Sequence, residues 1–265
     1  MDDLTRSQLL ALSDAFYRAH AEAFDASRGH HAWPGWQRLL EWLPPGDSSA
    51  DSAGSPARPT LRVLDIGCGN ARLARFLHDA GFRLQYVGVD ANEALLASAR
   101  ARSTPDLEDR CQLTQQNFLL SARPGSALPS GPFDLIAVMG VLHHVPGRDW
   151  RLALLRAATE RLASGGLLAL AAWQFSDRER FAKRTVAWSS LDFVLDKPID
   201  LDDLESGDRL LRFGNDETTP PRYCHQVADG EFEGWPEQLG LEPLADYRAD
   251  GAEGDLNRYW VLRRR

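Results

Sequence analysis

The sequence predicts an α/β fold, a mostly parallel sheet with helices packed on both faces. Three observations predict it. From Leu61 onward, short apolar runs alternate with stretches of helical periodicity, which is the pattern of βαβ units. One of those runs, Val63-Leu64-Asp65-Ile66, passes straight into Gly67-Cys68-Gly69, a turn that lets backbone approach a ligand closely. The chain has 265 residues, 43% of them hydrophobic, enough to bury a core without disulfides.

Residues 4–28 carry Leu9, Leu12, Ala15, Phe16, Ala19 and Ala23 at helical spacing and predict one or two helices. A short helix should follow from Trp36 to Trp42, so that residues 1–43 form an N-terminal helical cap. Residues 44–60 are rich in Pro, Gly, Ser and Ala and read as a flexible linker. The main domain is then 61–265. Its strands are expected at 61–66, 84–90, 111–116, 133–139 and 166–173, with helices at 71–80, 92–102 and 148–163. Residues 176–225 break this rhythm, being polar, rich in aromatics and without a clear strand, and read as an insertion or lid. A helix at 229–239 and strands at 242–249 and 256–263 would complete seven strands.

With 30 basic against 38 acidic residues, the formal charge is -8, which excludes a surface that is basic all over. Any nucleic acid must then be held by a local patch or a helper protein. No apolar run approaches the roughly 18 residues of a membrane span. The acidic N-terminus MDDLTRSQLL is unlike a signal peptide, so the chain is expected to be cytoplasmic. Cys68, Cys111 and Cys224 are odd in number and far apart, and read as reduced thiols. Within the insertion the charges segregate. Arg178, Arg180, Lys183 and Arg184 precede the acidic run Asp192, Asp196, Asp200, Asp202, Asp203, Glu205 and Asp208. The basic stretch is either an RNA-backbone contact or a solvated helix face. Arg258 and the arginines at 263–265 would extend that patch or form a basic tail.

The glycine turn is the most informative segment. A dinucleotide fold wants a third glycine at position 72, where this chain has Arg72. Asp65, two residues ahead of the turn, can accept a hydrogen bond from an ammonium group, and no pyrophosphate need be accommodated. Such a site suits an adenosyl ligand with an amino-acid tail. Asp90 ends the second strand, where an acid can hold two ribose hydroxyls or cap the helix starting near Asn92. Asn117 could bond an adenine amino group with Phe118 over the ring, or be an ordinary turn residue.

Together, D-x-G-x-G-N, the downstream acid and FDLIAVMGVLHHVP resemble the class I S-adenosylmethionine-dependent methyltransferases, in the group with a VLHH segment after the fourth strand. The family usually has a third glycine where Ala71 stands, a small residue that should preserve close helix packing. The resemblance covers residues 61–173. It implies a Rossmann-like class I fold and S-adenosyl-L-methionine held by Asp65, Gly67, Cys68, Gly69, Asn70, Asp90, Ala91, Asn117, Phe118 and Met139.

For the methyl acceptor, the chain lacks the [N/D]PP[Y/F] segment typical of exocyclic N-methylation. Methylation at C5 of a pyrimidine generally needs a cysteine nucleophile, and only Cys224 is suitably placed for that, without the expected flanking residues. Oxygen is left as the favoured acceptor. Phe24 to Arg28 with Ala32-Trp33-Pro34, Ala172-Trp173-Gln174-Phe175, Gly207-Asp208, Arg222-Tyr223-Cys224-His225, and Asp250-Gly251 with Leu256-Asn257-Arg258-Tyr259 resemble the tRNA wobble-uridine carboxymethyl methyltransferases and their bacterial relatives. Ser27 and Cys224 depart from that pattern. The resemblance implies methyl-ester formation on a carboxymethyl wobble uridine, a tRNA modification.

A carboxylate is ionised at neutral pH and needs no general base, only cations or donors to orient it. Arg28 and Arg222 are the candidates, with His225 as a supporting donor; of His143 and His144 one lines the acceptor pocket, His143 being the candidate, and the other packs against the following helix. Arg28 could instead cap a helix C-terminus, and Arg222 could pair with the acidic run. Trp33 and Trp173 could stack on a base or pack in the core. Two adjacent histidines without a third ligand make a poor metal site, so no metal is expected. The alternatives are a small-molecule O-methyltransferase acting on a carboxylic acid or phenol, and a cofactor-binding partner subunit without catalysis. The sequence leaves open a need for an activating protein subunit.

Overall fold

The most continuously apolar stretches form the centre of a sheet. A computed structural model describes residues 1–28, 31–44, 59–120, 123–191, 195, 197–214 and 221–265, without the side chains of 27 and 28. Chain order is α1 (Asp3–Arg28), α2 (Pro34–Leu39), β1 (Leu61–Ile66), α3 (Arg72–Asp79), β2 (Leu84–Asp90), α4 (Glu93–Ala101), α5 (Pro105–Glu108), β3 (Cys111–Gln115) and β4 (Phe133–Met139). There follow α6 (Arg148–Thr159), β5 (Leu162–Trp173), α7 (Glu179–Ala182), β6 (Thr185–Val186), β7 (Asp208–Leu211), β8 (Arg222–His225), α8 (Asp229–Leu239), β9 (Glu242–Ala249) and β10 (Asn257–Arg263).

Seven strands make one sheet in the order β3-β2-β1-β4-β5-β10-β9, with β10 antiparallel to both its neighbours and the first five strands parallel. β1 and β4 are buried at all but one position each, as strands covered on both faces must be. On one face Leu64, Ile66, Ile136 and Val138 meet Leu154 and Leu155 of α6 and Phe232 and Trp235 of α8. On the other, Val63, Leu135 and Ala137 meet Leu73 and Leu77 of α3 and Trp36 and Leu39 of α2. The seven-stranded Rossmann-like architecture expected from the sequence is therefore present.

Four differences have physical reasons. β5 begins at Leu162 rather than 166, and α6 ends at Thr159 rather than 163, because the strand absorbs a bulge around Gly165, whose φ is +75°. α3 starts at Arg72 because Ala71 has a left-handed φ of +53°. The N-terminal helices do not act as one cap. α1 is a single helix whose Leu9 and Leu12 pack on Leu210 and Tyr223, whereas α2 is built into the main sheet's other face. Of the expected linker, residues 45–58 lie outside the described residues.

The insertion, expected to have no clear strand, contains a three-stranded antiparallel sheet in the order β6-β7-β8. β6 has only two residues, and all four of β8 are buried, so neither shows the alternation that marks a half-exposed strand.

One ion network fastens this small sheet to the domain. Arg151 of α6 is fully buried. Its Nε and Nη2 donate to the two carboxylate oxygens of Glu231 in α8 at 2.8 and 2.9 Å, and its Nη1 donates to Glu205 at 2.9 Å. Asp208 beside Glu205 accepts from Tyr223 Oη at 2.8 Å and lies 2.7 Å from His225 Nδ1. Glu205, Asp208 and His225 are close enough together to surround a cation, and the Arg151 guanidinium already supplies one. Truncating one member of a buried pair leaves its partners charged and desolvated. Arg151→Ala should therefore destabilise the fold by about 3–5 kcal/mol, read by denaturant unfolding. A loss below about 1 kcal/mol would show the network to be solvated.

Candidate active site

Because β1 and β4 are neighbours from which the chain departs toward opposite edges, a crevice opens at their carboxyl ends, the usual ligand position in open α/β sheets. A cavity of about 630 Å³ lies there. Asp65, Gly67, Cys68, Gly69, Asn70, Asp90, Ala91, Asn117, Phe118 and Met139, the residues expected to hold a cofactor, all line it. Helix α1 closes the top with Leu10, Ser13, Asp14 and Tyr17, which share one helical face.

The turn after β1 is forced by space. Gly67 has φ +73°, and a Cβ on it would meet the Val141 side chain at 2.3 Å. Asp65 is 3% exposed and accepts from Tyr86 Oη at 2.5 Å through Oδ2, while its Oδ1 has no partner. Burial raises its carboxyl to about 7, against the Tyr86 hydrogen bond. A buried acceptor with a spare oxygen on the cavity wall fits the ammonium of an amino-acid tail. Asp90 accepts from the Gly69 and Asn92 amides at 2.8 Å each, and burial pushes its carboxyl up despite those bonds. It does not cap α4. Asn92 does, accepting from Leu95 N at 3.1 Å, and Asp90 lies on the cavity wall, where the sequence expects a ribose contact.

Two expected contacts look different in the fold. The Asn70 side chain is turned toward α1, donating to Asp25 at 2.6 Å, so what remains for a ligand is its backbone. Arg102 and Ser98 also bond Asp25. Burial would raise this carboxyl, but those three partners hold it below the usual carboxylate value. Asn117 Oδ1 accepts from Leu119 N at 3.1 Å, a local turn contact made at the cavity wall.

At the opposite end of the cavity lies Arg222 of β8, 6% exposed. Its guanidinium sits 4.8 Å from the Phe16 ring centre and 5.3 Å from that of Trp173, and its Nη1 donates to Tyr17 Oη at 3.1 Å. The pairing of Arg222 with the acidic run is not observed, since no carboxylate among the described residues forms an ion pair with it. Its Nε has no hydrogen-bond partner. His143 and His144 both line the cavity. His144 is held by Tyr17 and by β8 rather than by the helix that follows. Its Nδ1 donates to the Tyr223 carbonyl at 3.0 Å, which leaves Nε2 to accept from Tyr17 Oη at 2.7 Å.

His225 does not reach the cavity as a supporting donor. Its Nδ1 is drawn to Asp208, because β8 turns that side chain into the ion network. The Arg28 side chain lies outside the described residues. Cys224 is fully buried away from the cavity, with its thiol pushed up to about 11 by burial, which suits neither a nucleophile nor a ligand. Trp33 and Trp173 line the cavity. Of the basic stretch, Arg178 is tied to Glu253 and Asp255 and Lys183 to Glu179, whereas Arg180 and Arg184 line the cavity. Arg258 pairs with Asp229 and Asp246, and Arg263 with Glu242, whereas Arg264 donates to backbone carbonyls and Arg265 is largely exposed. Sequence reasoning missed Tyr17. Its only signal is a hydroxyl beside the apolar stripe of α1.

A seven-stranded sheet with β10 antiparallel, a glycine turn after β1 and acids at the ends of β1 and β2 define the class I S-adenosylmethionine-dependent methyltransferases. The comparisons agree. Residues 64–168 match the methyltransferase domain family, so the chain carries such a domain, with S-adenosylmethionine as its cofactor. It is 34% identical over 114 residues to a ubiquinone biosynthesis O-methyltransferase of Xanthomonas campestris, covering 43% of this chain and 44% of that protein. It is 35% identical over 115 residues to a trans-aconitate 2-methyltransferase of Variovorax paradoxus, covering 43% and 39%. The chain thus spans less than half the length of these curated relatives. Among solved structures it resembles a methyltransferase from Methanosarcina mazei, at 19% identity and TM-score 0.57 over 88% of this chain and 98% of that one. An amino pentose methyltransferase from Micromonospora echinaspora has TM-score 0.56 at 18% identity, over 92% and 96%. At these identities the likeness is one of fold. No helix among the described residues is long and apolar enough to cross a membrane.

Asp90→Ala should weaken cofactor binding at least about tenfold in a calorimetric titration, the scale of a lost charge-assisted hydrogen bond. Unchanged affinity would remove Asp90 from the ribose site. Because the Asp65 carboxyl titrates near 7 and only its ionised form attracts an ammonium, cofactor affinity should fall by up to about tenfold per pH unit as pH drops below 7. Asp65→Asn should lower affinity at pH 8 and flatten that slope. A slope unaltered in Asp65→Asn would assign the titration to another group.

Proposed function

We propose that the chain transfers a methyl group to a carboxylate oxygen of a small-molecule acid, with Arg222 as the receptor for that carboxylate. One observation carries the reading, namely a buried guanidinium on the cavity wall with no ion pair among the described residues. A buried cation without a counter-ion is costly, and an incoming carboxylate removes that cost. Bound S-adenosylmethionine supplies an electrophilic methyl group, and its transfer forms a bond to the acceptor oxygen while the sulfonium bond breaks, its electron pair staying on sulfur.

The protein's own part is positioning. Tyr17 presents its oxygen to Arg222 because His144 takes the hydroxyl proton's hydrogen bond, so the guanidinium is braced from behind. Trp173, Phe181 and Phe213 line the same space and exclude water from a nucleophile that needs no base. Two of the relatives have names that fit, one specifying an acid and the other an oxygen acceptor.

The wobble-uridine reading uses the same carboxylate chemistry and differs in what surrounds the cavity. It needs cations free to meet phosphates outside the cavity, yet Arg178, Lys183, Arg258 and Arg263 are matched to acids, and Arg180 and Arg184, which pair with no acid among the described residues, line the cavity itself. The small acid is therefore favoured. Labelled cofactor should be incubated in parallel with bulk tRNA and with a small-metabolite extract. Label should appear in a base-labile ester in the metabolite fraction. Label confined to tRNA would overturn the small-acid reading, and cofactor binding with no label in either would favour the non-catalytic subunit. Arg222→Ala should leave cofactor affinity intact and lower kcat/KM by about 30-fold or more, the cost of losing one partner of a buried charged contact.

A further inference from the structure

We infer that the acceptor carries two anionic groups joined by an apolar segment, the first at Arg222 and the second at Arg180 and Arg184. The inference rests on the small-acid reading and adds what stands at the acceptor's other end. Arg180 and Arg184 line the same cavity as Arg222. Neither forms an ion pair with any carboxylate among the described residues. The two other cations of the stretch do, Arg178 with Glu253 and Asp255 and Lys183 with Glu179, although all four sit within one short segment.

An aromatic pair separates the two positive regions. The Arg222 guanidinium lies 5.3 Å from the Trp173 ring centre, the Trp173 and Phe181 rings are 4.6 Å apart edge to face, and the Arg180 guanidinium lies 4.5 Å from Phe181. One cation thus stands at each end of an apolar surface. Arg184 is half-buried and fixed at the start of β6, where its carbonyl accepts from Arg212 N at 3.0 Å. The acids lining the cavity are Asp14, Asp65 and Asp90, and Asp65 and Asp90 belong to the cofactor end. In a chain of net charge -8, an acceptor chamber this poor in acids and rich in guanidinium selects a dianion over a monoanion. The second anion is a carboxylate or a phosphate, since a guanidinium fork binds either.

The test is calorimetric titration of the full chain, saturated with S-adenosylhomocysteine, with suberate, with octanoate of the same carbon length, and with an ω-phosphonoalkanoate of that length. Suberate should bind about 10- to 100-fold tighter than octanoate, the worth of one further charge-assisted contact. The R180Q/R184Q protein should lose that preference. Equal affinities for suberate and octanoate would overturn the inference, as would a preference that survives in R180Q/R184Q. The phosphonate arm distinguishes the second anion, according to which dianion binds tighter. Methyl transfer is scored separately. A dianion preference that depends on Arg180 and Arg184, without ester formation on any acid, would keep this inference and sink the proposed reaction.

Discussion

The arrangement around the cavity depends on burying the positive charge of Arg222 without a counter-ion. Desolvating a guanidinium costs several kcal/mol, and what offsets it here is a set of aromatic faces, the Tyr17 hydroxyl and the Cys224 thiol. Phe16 and Tyr17 come from α1, Trp173 from the end of β5, and the arginine itself from β8. Three separate parts of the chain therefore converge on one charge. The ion network of Arg151 lies at the other end of the same small sheet and is of the opposite kind, a buried guanidinium matched to carboxylates. The insertion is thus clamped by one charged centre whose guanidinium is paired and carries another whose guanidinium forms no ion pair among the described residues.

Most of the core was legible in the sequence. Strands buried on both faces read as unbroken apolar runs, as β1 and β4 do, and β1, β2, β4, β9 and β10 all lie within a residue of the ranges the sequence predicts. The insertion is opaque because its strands are two to four residues long and their few polar residues satisfy one another, as Asp208 does with Tyr223 and His225. Local periodicity carries no trace of such pairing.

The cofactor end of the site was similarly readable, because glycine spacing and strand-end acids are local signals. Ala71 is the exception. Its small size suits close packing, but its left-handed φ of +53° gives the commoner glycine a conformational reason, which only the backbone reveals. The acceptor end was legible residue by residue and not in its grouping. Arg222 stands out in its motif, while its neighbour Tyr17, some two hundred positions earlier, has no local signal that ties the two together. His225 carried the same motif credentials as Arg222, yet strand alternation turned it to the other side.

Helix α1 forms a wall of the cavity and is tied down at its far end by Asp25, which bonds both Asn70 of the glycine turn and Arg102 beyond α4. A helix placed so shares its docking free energy with whatever lies beneath it. By linkage, any ligand held between α1 and the sheet adds to the stability of the N-terminal segment, and any loss of that segment is a loss of affinity. The first twenty-eight residues are in this sense part of the binding equilibrium, although the glycine turn and the strand-end acids all lie after residue 60.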